Sequence, residues 1–548
     1  MVSIKHIPYR NLPNQSKLFL QYIERSRHAL QFFQHSPSCE SLSTGLCDRI
    51  IRQQFPRSGI VPILRRQNKS YECSAKTLDR IDELENPDCV AILTGQQVGL
   101  FTGPLYTVYK ALTAIHLSDE LRSRGIRAIP IFWMETEDHD LAEVTHQTVF
   151  APDNSAQAVD YRNMIFGNTA TSIRPIGSIQ FPDSIREVVQ DFVNSLPDSE
   201  WKKEIGFLLN STCRPGFTFT QSFARLLMKI VGDTGLILFD PQDPQTKPLV
   251  SHIFQWALEK SDDIHTLLEE RSREIESAGF HSQVKFSDRS TVLFYMDNGE
   301  RYGLERLDSG FGLKNRDRKF RLQELQDCLA SNPEKFSPNV LLRPPVQDFL
   351  FPTLAYVGGP SEIAYFAQIE VLYTMLNRPM PVIWPRESFT LMEGEIRKAM
   401  HRLGIEIQDC FEGIQFLKEK ALHNSSFSKA TAGLLDFKNN LEKTLAEIRP
   451  DVQNLDPSIP QAMDTAQSKI LHNIQRLKSR ILHIEGRKDS SVLNAASLLL
   501  NHCLPNRNLQ ERELSIFHFF STHGPAIVDS VRSAIRTSEF SHHVLQLE

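Results

Sequence analysis

No run in the sequence approaches the roughly 18 consecutive apolar residues that a membrane-spanning helix needs, which excludes a polytopic helical membrane protein. Neither sign of charge dominates: 61 Lys and Arg stand against 66 Asp and Glu, a formal −5 with neutral His. That balance lacks the footprint of a dedicated nucleic-acid binder, although a local basic pocket stays open. The eight cysteines contain no CxxC pair and no Cys/His grouping at zinc-finger spacing. A chain this long needs no disulfide staples, so reduced and mostly structural thiols are expected. Neither GxGxxG nor GxxxxGK[ST] occurs, so a standard dinucleotide site or a P-loop is not supported. No metal is firmly implied. Fixed-period repeats and low-complexity linkers are missing too. The segment 1–15 has no continuous apolar core of a secretory leader, and the cytoplasm is the expected location.

What is present is length and core-forming material. The 548 residues exceed one ordinary core and suggest three or four units at about 150 residues each. A content of 41% hydrophobic and 23% charged residues describes a globular chain. Leu18, Phe19, Tyr22 and Ile23 have helical spacing. Val90–Leu93 reads as a buried strand running into Thr94-Gly95-Gln96-Gln97, and Pro104 suits the first turn of a following helix. That helix carries Leu105, Val108, Leu112, Ile115 and Leu121 and can end at Gly125 in a left-handed cap. Ile126–Met134 supplies a second strand, stopping at Glu135-Thr136-Glu137-Asp138-His139-Asp140. This β–loop–α–β unit points both strand ends to one edge, where open α/β sheets bind ligands. Gly235–Asp240, Tyr356–Pro360 and Pro381–Trp384 read as further strands, with a helix near Ser361 and another begun by the capping-box spacing of Thr390 and Glu393.

The expected fold class is α/β, a segmented Rossmann-like parallel-sheet core with connecting insertions and an α-helical coiled-coil domain. The expected organisation is 1–150 for the N-terminal region and first core segment, 151–225 for an insertion and 226–245 for a core strand. A second insertion spans 246–340, the core continues over 341–405, a helical coiled coil spans 406–505, and a mainly helical tail spans 506–548. Leu434, Phe437, Leu441, Leu445 and Ile448 form one helical stripe, with an interruption expected near Pro450. Ile470, Ile474, Leu477, Ile481 and Ile484 alternate four- and three-residue steps, as a coiled-coil seam does. Pro457 and Pro460 between them allow an antiparallel hairpin. An intramolecular pair and a dimer are equally open.

Four groups of residues could carry chemistry. Thr94, Gly95, Gln96, Gln97 and Gly103 surround a helix N-terminus able to hold an anion, and Lys110 could neutralise a carboxylate or phosphate; ordinary capping of a βα turn is the alternative. Asp138, His139 and Asp140 place an imidazole between carboxylates, suited to proton transfer and less well to metal binding; a hydrogen-bonded strand terminus explains them equally. Gly358 and Gly359 open a second helix on which Glu362, Tyr365 and Gln368 recur every third residue. Arg386, Ser388 and Thr390 form a third polar mouth.

At these motifs the sequence closely resembles the bacillithiol biosynthesis cysteine-adding enzyme family, BshC. The resemblance rests on TGQQVGLFTGPLYTVYKALTAIHL, FWMETEDHDLAEVTH, LLRPPVQDFLFPTLAYVGGPSEIAYFAQ, PVIWPRESFTLMEGEI and NLQEREL, ordered from about residue 90 to the tail. It implies a Rossmann-like core, a coiled coil that forms a homodimer, and addition of cysteine to the amine of glucosaminyl-malate as the last step toward bacillithiol. Cysteine and glucosaminyl-malate are then the expected partners, with no nucleic acid and no membrane. Forming that amide requires an activated carboxyl; ATP or another adenine nucleotide is a candidate donor, and nothing in the sequence establishes it. The rival readings are a nucleotidyltransferase-like enzyme with another small substrate and a coiled-coil scaffold.

Overall fold

Five short apolar runs build one parallel sheet: β1 (Val90–Gln96), β2 (Ala128–Met134), β3 (Ile237–Phe239), β4 (Thr353–Gly358) and β5 (Val382–Pro385). In the computed structural model, which describes residues 4–150, 155–167, 173–285, 287–423, 429–456, 458–488, 490–537 and 539–547, they lie in the order β5-β4-β1-β2-β3. Every neighbouring pair is parallel. Strands buried on both faces have no polar face to alternate with, which is why these runs read as continuous Val, Ile, Leu and aromatic residues. Helix α1 (Arg57–Ser70) precedes the sheet, α2 (Leu105–Ser123) joins β1 to β2, and α3 (Pro360–Met375) joins β4 to β5. Val90, Ile92, Ala114, Leu117, Leu121, Val357 and Trp384 share one core. This is a Rossmann-like arrangement whose strand order reverses between β1 and β4, the place where such sheets open a crevice.

Both outer strands are closed by side chains. Asn68 of α1 accepts a hydrogen bond from Leu238 N–H at 2.9 Å and donates to Leu238 O at 2.8 Å. Gln67 does the same for Asp240, accepting from N–H and donating to O at 3.0 Å each. On β5, the buried Tyr22 hydroxyl donates to Ile383 O at 2.7 Å.

The first compact unit comprises Met1–Ala151, Ala156–Thr390 and Glu511–Leu545, and the second Leu391–Gln510 with Pro152–Ser155 and Gln546–Glu548. Within the first, a five-stranded antiparallel sheet occupies part of the stretch between β3 and β4. Its leading strands, Ser290–Asp297 and Glu300–Leu307, meet at Asn298-Gly299, both with positive φ (52° and 80°). Two such residues make the hairpin turn that matches strand twist. The tail is not mainly helical throughout: His542–Gln546 is a strand, and its first residues pair antiparallel with Ile4–Ile7.

In the second unit, α4 (Lys429–Leu455) and α5 (Ile459–Lys488) pack against each other. Arg449 of α4 reaches Asp464 of α5 at 2.6 and 3.0 Å, which sets them antiparallel. The interruption expected near Pro450 does not occur, since α4 continues through it to Leu455. A proline inside a helix removes one backbone bond and kinks the helix without necessarily ending it. The seam is also displaced, for Ile470 and Leu477 are exposed while Leu471 and Ile474 are half-buried. Pro457 and the side chains of Ile481 and Ile484 lie outside the described residues. Among those described, no helix is long and apolar enough to cross a membrane.

Replacing Asn68 with Leu strips β3 of two backbone partners, at a cost of about 1–3 kcal/mol for each group left unpaired. The expected result is a lower urea midpoint than that of a surface substitution elsewhere on α1.

Candidate active site

Where the strand order reverses, a cavity of about 610 Å³ opens at the carboxyl ends of β1, β2 and β4. Its floor is an ion pair. Lys110 of α2, 3% exposed, lies 2.5 Å from Glu362 of α3 and donates to Gly95 O at 2.8 Å and Gln96 Oε1 at 2.9 Å. An ammonium has three donors, so Lys110 has none left for a ligand and acts as a structural staple. Burial pulls its pKa down while Glu362 pulls it up. Glu362 in turn accepts from Gly359 N–H at 2.8 Å and the Tyr356 hydroxyl at 2.7 Å. Burial works to raise its pKa, but Lys110, Gly359 N–H and Arg343 hold it below the ordinary carboxylate value.

Several carboxylates line the cavity. Asp138 accepts from Gln97 Nε2 at 2.5 Å and from His139 N–H at 2.7 Å. Glu143 lines this cavity and an adjoining one of about 380 Å³. Its carboxyl is held above the ordinary value by partial burial and by the charges of Asp138 and Asp140, against a hydrogen bond from Gln97. Glu137 is paired with Lys247. Guanidiniums are interleaved with these carboxylates in the same lining: Arg301, Arg343, Arg386 and Arg512. Arg343 is paired with Glu135 and bonded to the Tyr365 hydroxyl. Arg386 is paired with Glu511 at 2.6 Å. Arg301 donates to Ser337 and Pro338 O and stacks on Phe294 at 3.7 Å. Arg512 lines both cavities and is bonded to no other described residue.

His139 faces Arg301, whose NH1 is 3.4 Å from Nδ1. A guanidinium only donates, so Nδ1 accepts and the neutral ring carries its proton on Nε2. Burial, then Arg301, pushes the imidazole pKa down. His139 therefore presents a donor to the cavity. Among the described residues no group of three or more His, Cys, Asp or Glu side chains could hold a metal.

Of the residues singled out from sequence, Gly95, Gln96, Gln97, Lys110, Asp138, His139, Gly359, Glu362, Tyr365 and Arg386 line the larger cavity, and Gly103 lines the smaller. Others lie elsewhere. Thr94 is buried and donates to Val357 O at 2.9 Å, linking β1 to β4. Asp140 caps the short helix Leu141–Thr145 by accepting from Glu143 N–H. Gly358 answers packing, since a Cβ there would sit 3.1 Å from Glu362 Cβ. Gln368 does not share the polar face of Glu362: it is fully buried and bonds both backbone groups of Val284.

Ser388 and Thr390 do not form a mouth, nor does Thr390 cap a helix. Both belong to the strand Ser388–Met392, and the next helix, Gly394–Leu403, begins after Glu393. Their hydroxyls flank the buried His542 at 2.7 and 2.8 Å. Ser388 spends its only proton on Glu511 at 2.9 Å, so His542 Nδ1–H donates to Ser388 and Nε2 accepts from Thr390. Burial drives the His542 pKa from 6.5 down to about 4, against the pull of Glu511.

Sequence reasoning missed Arg301, Arg343, Arg512 and Glu143. Asn298-Gly299 announces the hairpin that delivers Arg301, and the other three fall inside the recognised blocks without a spacing that sets them apart.

Models of two domains match the chain: the Bacillithiol biosynthesis BshC N-terminal Rossmann-like domain over residues 2–387 and the C-terminal coiled-coil domain over residues 389–547. Three relatives carry the name "Putative cysteine ligase BshC". That of Solibacter usitatus is 33% identical over 535 residues, 98% of each chain. That of Koribacter versatilis is 32% identical over 542 residues, 99% of each chain. That of Salinibacter ruber is 31% identical over 491 residues, 89% of this chain and 88% of its own.

Lys110→Met leaves a buried carboxylate without its cation, with an expected cost of about 3–5 kcal/mol. The double variant Lys110→Met/Glu362→Gln is expected to recover part of that loss in denaturant unfolding. Because His542 is neutral in the fold down to about pH 4 but takes a proton near 6.5 when unfolded, its contribution is present above pH 6.5. It is lost as pH falls toward 4, by about 3 kcal/mol. Unfolding midpoints measured across that window are expected to fall less for His542→Gln than for the native chain.

Proposed function

The chain belongs to the BshC family and is a ligase, and on that premise we propose that it joins the carboxyl of L-cysteine to the amine of glucosaminyl-malate, the final step of bacillithiol synthesis. The observation that carries this reading is the mixed charge of the cavity, which carries the carboxylates of Asp138 and Glu143 and the guanidiniums of Arg301 and Arg512 in one lining. Both substrates combine an ammonium with at least one carboxylate, and a lining with both signs of charge offers each a partner. The adjoining cavity gives the second substrate a place beside the first, with Glu143 and Arg512 lining both.

Amide formation needs a neutral amine and an activated carboxyl. An adenine nucleotide would supply the activation. Its phosphates suit the guanidiniums of Arg301 and Arg512 better than the α3 N-terminus, where Glu362 already takes the Gly359 N–H. Glu143 is the residue we assign to removing the ammonium proton, because a carboxyl with a raised pKa is a stronger base than an ordinary one. His139, with Nδ1 held by Arg301, donates from Nε2 to an oxygen of the substrate. The cytoplasm is the compartment this reading implies. The exposed Phe437, Ile448 and Leu477 of the hairpin offer apolar surface for a homodimer.

Mass-spectrometric profiling of thiols in cells lacking the gene is expected to show bacillithiol lost and glucosaminyl-malate accumulated, both reversed by restoring it. Unchanged bacillithiol in a strain that makes it and has no backup enzyme would sink the assignment. With purified components, Glu143→Gln is expected to slow ligation by about 10²–10⁴-fold. Equal rates for Glu143→Gln and the native chain remove Glu143 from the reaction.

A further inference from the structure

A third cavity, of about 500 Å³, shares no lining residue with the two just described. Arg49 and Arg52 line it from the helix Thr44–Ile51 and its C-cap, and Arg378 lines it beyond the end of α3. Arg49 and Arg52 are three residues apart, hence neighbours on one helix face, where like charges repel. Neither side chain forms an ion pair or hydrogen bond with any other described residue.

Arg378 is 8% exposed. Its guanidinium lies 3.7 Å from the Phe349 ring and 5.3 Å from that of Phe55, and its one hydrogen bond is to Gln54 O at 3.4 Å. Burial lowers its pKa to about 10, against the pull of Asp348 and Tyr373. Two carboxylates nearby do little to offset the three cations. Glu370 is taken by Arg271 at 2.6 Å and by Gln34 at 3.2 Å. Asp348 accepts from the Tyr373 hydroxyl, and burial lifts its pKa to about 7. Three guanidiniums thus line one open space, and the two on the helix Thr44–Ile51 and its C-cap have no side-chain partner among the described residues.

We propose that this cavity is a binding site for a phosphate-bearing small molecule. The charge count favours a group with at least two negative charges, because a single carboxylate leaves two of the three cations unbalanced. Geometry favours phosphate, whose oxygens radiate from one atom and can meet several forked guanidiniums at once. Gln53 and Asn377 add amide groups to the same lining. The inference stands apart from the ligase reading, since its readout is binding at residues outside the ligase cavity.

The test is calorimetric titration of the full-length chain with inorganic pyrophosphate, and separately with malate. The native chain is expected to bind pyrophosphate, and Arg512→Ala, altered in the ligase cavity, is expected to keep the binding that depends on Arg49 and Arg52. The variant Arg49→Ala/Arg52→Ala, altered at two exposed positions, is expected to bind at least about tenfold more weakly with its melting temperature unchanged. Equal binding by the double variant, a loss confined to Arg512→Ala, malate binding tighter than pyrophosphate, or no binding by the native chain would each overturn the proposal.

Discussion

The buried pair of Lys110 and Glu362 is the contact on which the rest of the site depends. Taking two charges out of water is unfavourable unless every remaining donor and acceptor is satisfied. Here each partner is saturated by backbone or side-chain groups of the strand beside it: Gly95 O and Gln96 for the lysine, Gly359 N–H and Tyr356 for the glutamate. The pair thereby ties the end of β1 to the end of β4 at the reversal of strand order. That junction is what keeps a crevice of fixed width between two halves of a sheet that have no crossover linking them there.

Around that fixed floor the chemistry is assembled from distant parts of the chain. The carboxylates of Asp138 and Glu143 come from the segment after β2, the guanidinium of Arg301 from the antiparallel hairpin, and Arg512 from the stretch that returns after the helical hairpin. Several charged side chains are already spent on positioning. Glu135, Glu511 and Tyr365 hold Arg343 and Arg386 in place, and Arg301 sets the tautomer of His139. What remains open to a ligand is a short set, and it contains both signs of charge.

The parallel core was readable because strands buried on both faces leave continuous apolar runs, and because Gly125, Pro360 and the loop at Gly103 punctuate them. The residues at strand ends were readable for the same reason. Gln368 on α3 and Thr94, Ser388 and Thr390 on strands misled because a polar residue beside a strand end or on a helix looks alike whether it meets a ligand or a buried protein group; only the neighbour decides. Thr390 illustrates the competition: its spacing to Glu393 suits a helix cap, yet the run Ser-Phe-Thr-Leu-Met prefers a strand, and His542 from more than a hundred residues away completes it. Arg301 and Arg512 carried no local pattern at all, since their roles arise only when the insertion and the tail fold back.

The amide side chains that cover β3 also bear on how the chain is made. β3 is three residues long, and its outer backbone groups find partners 170 residues earlier, in α1. A naked strand edge invites pairing with another chain, most of all while a large protein is partly folded. During synthesis α1 leaves the ribosome well before β3 does, so the cover exists before the edge it must cover. Growth of the sheet from one molecule into the next is closed off from that side as soon as the last core strands arrive.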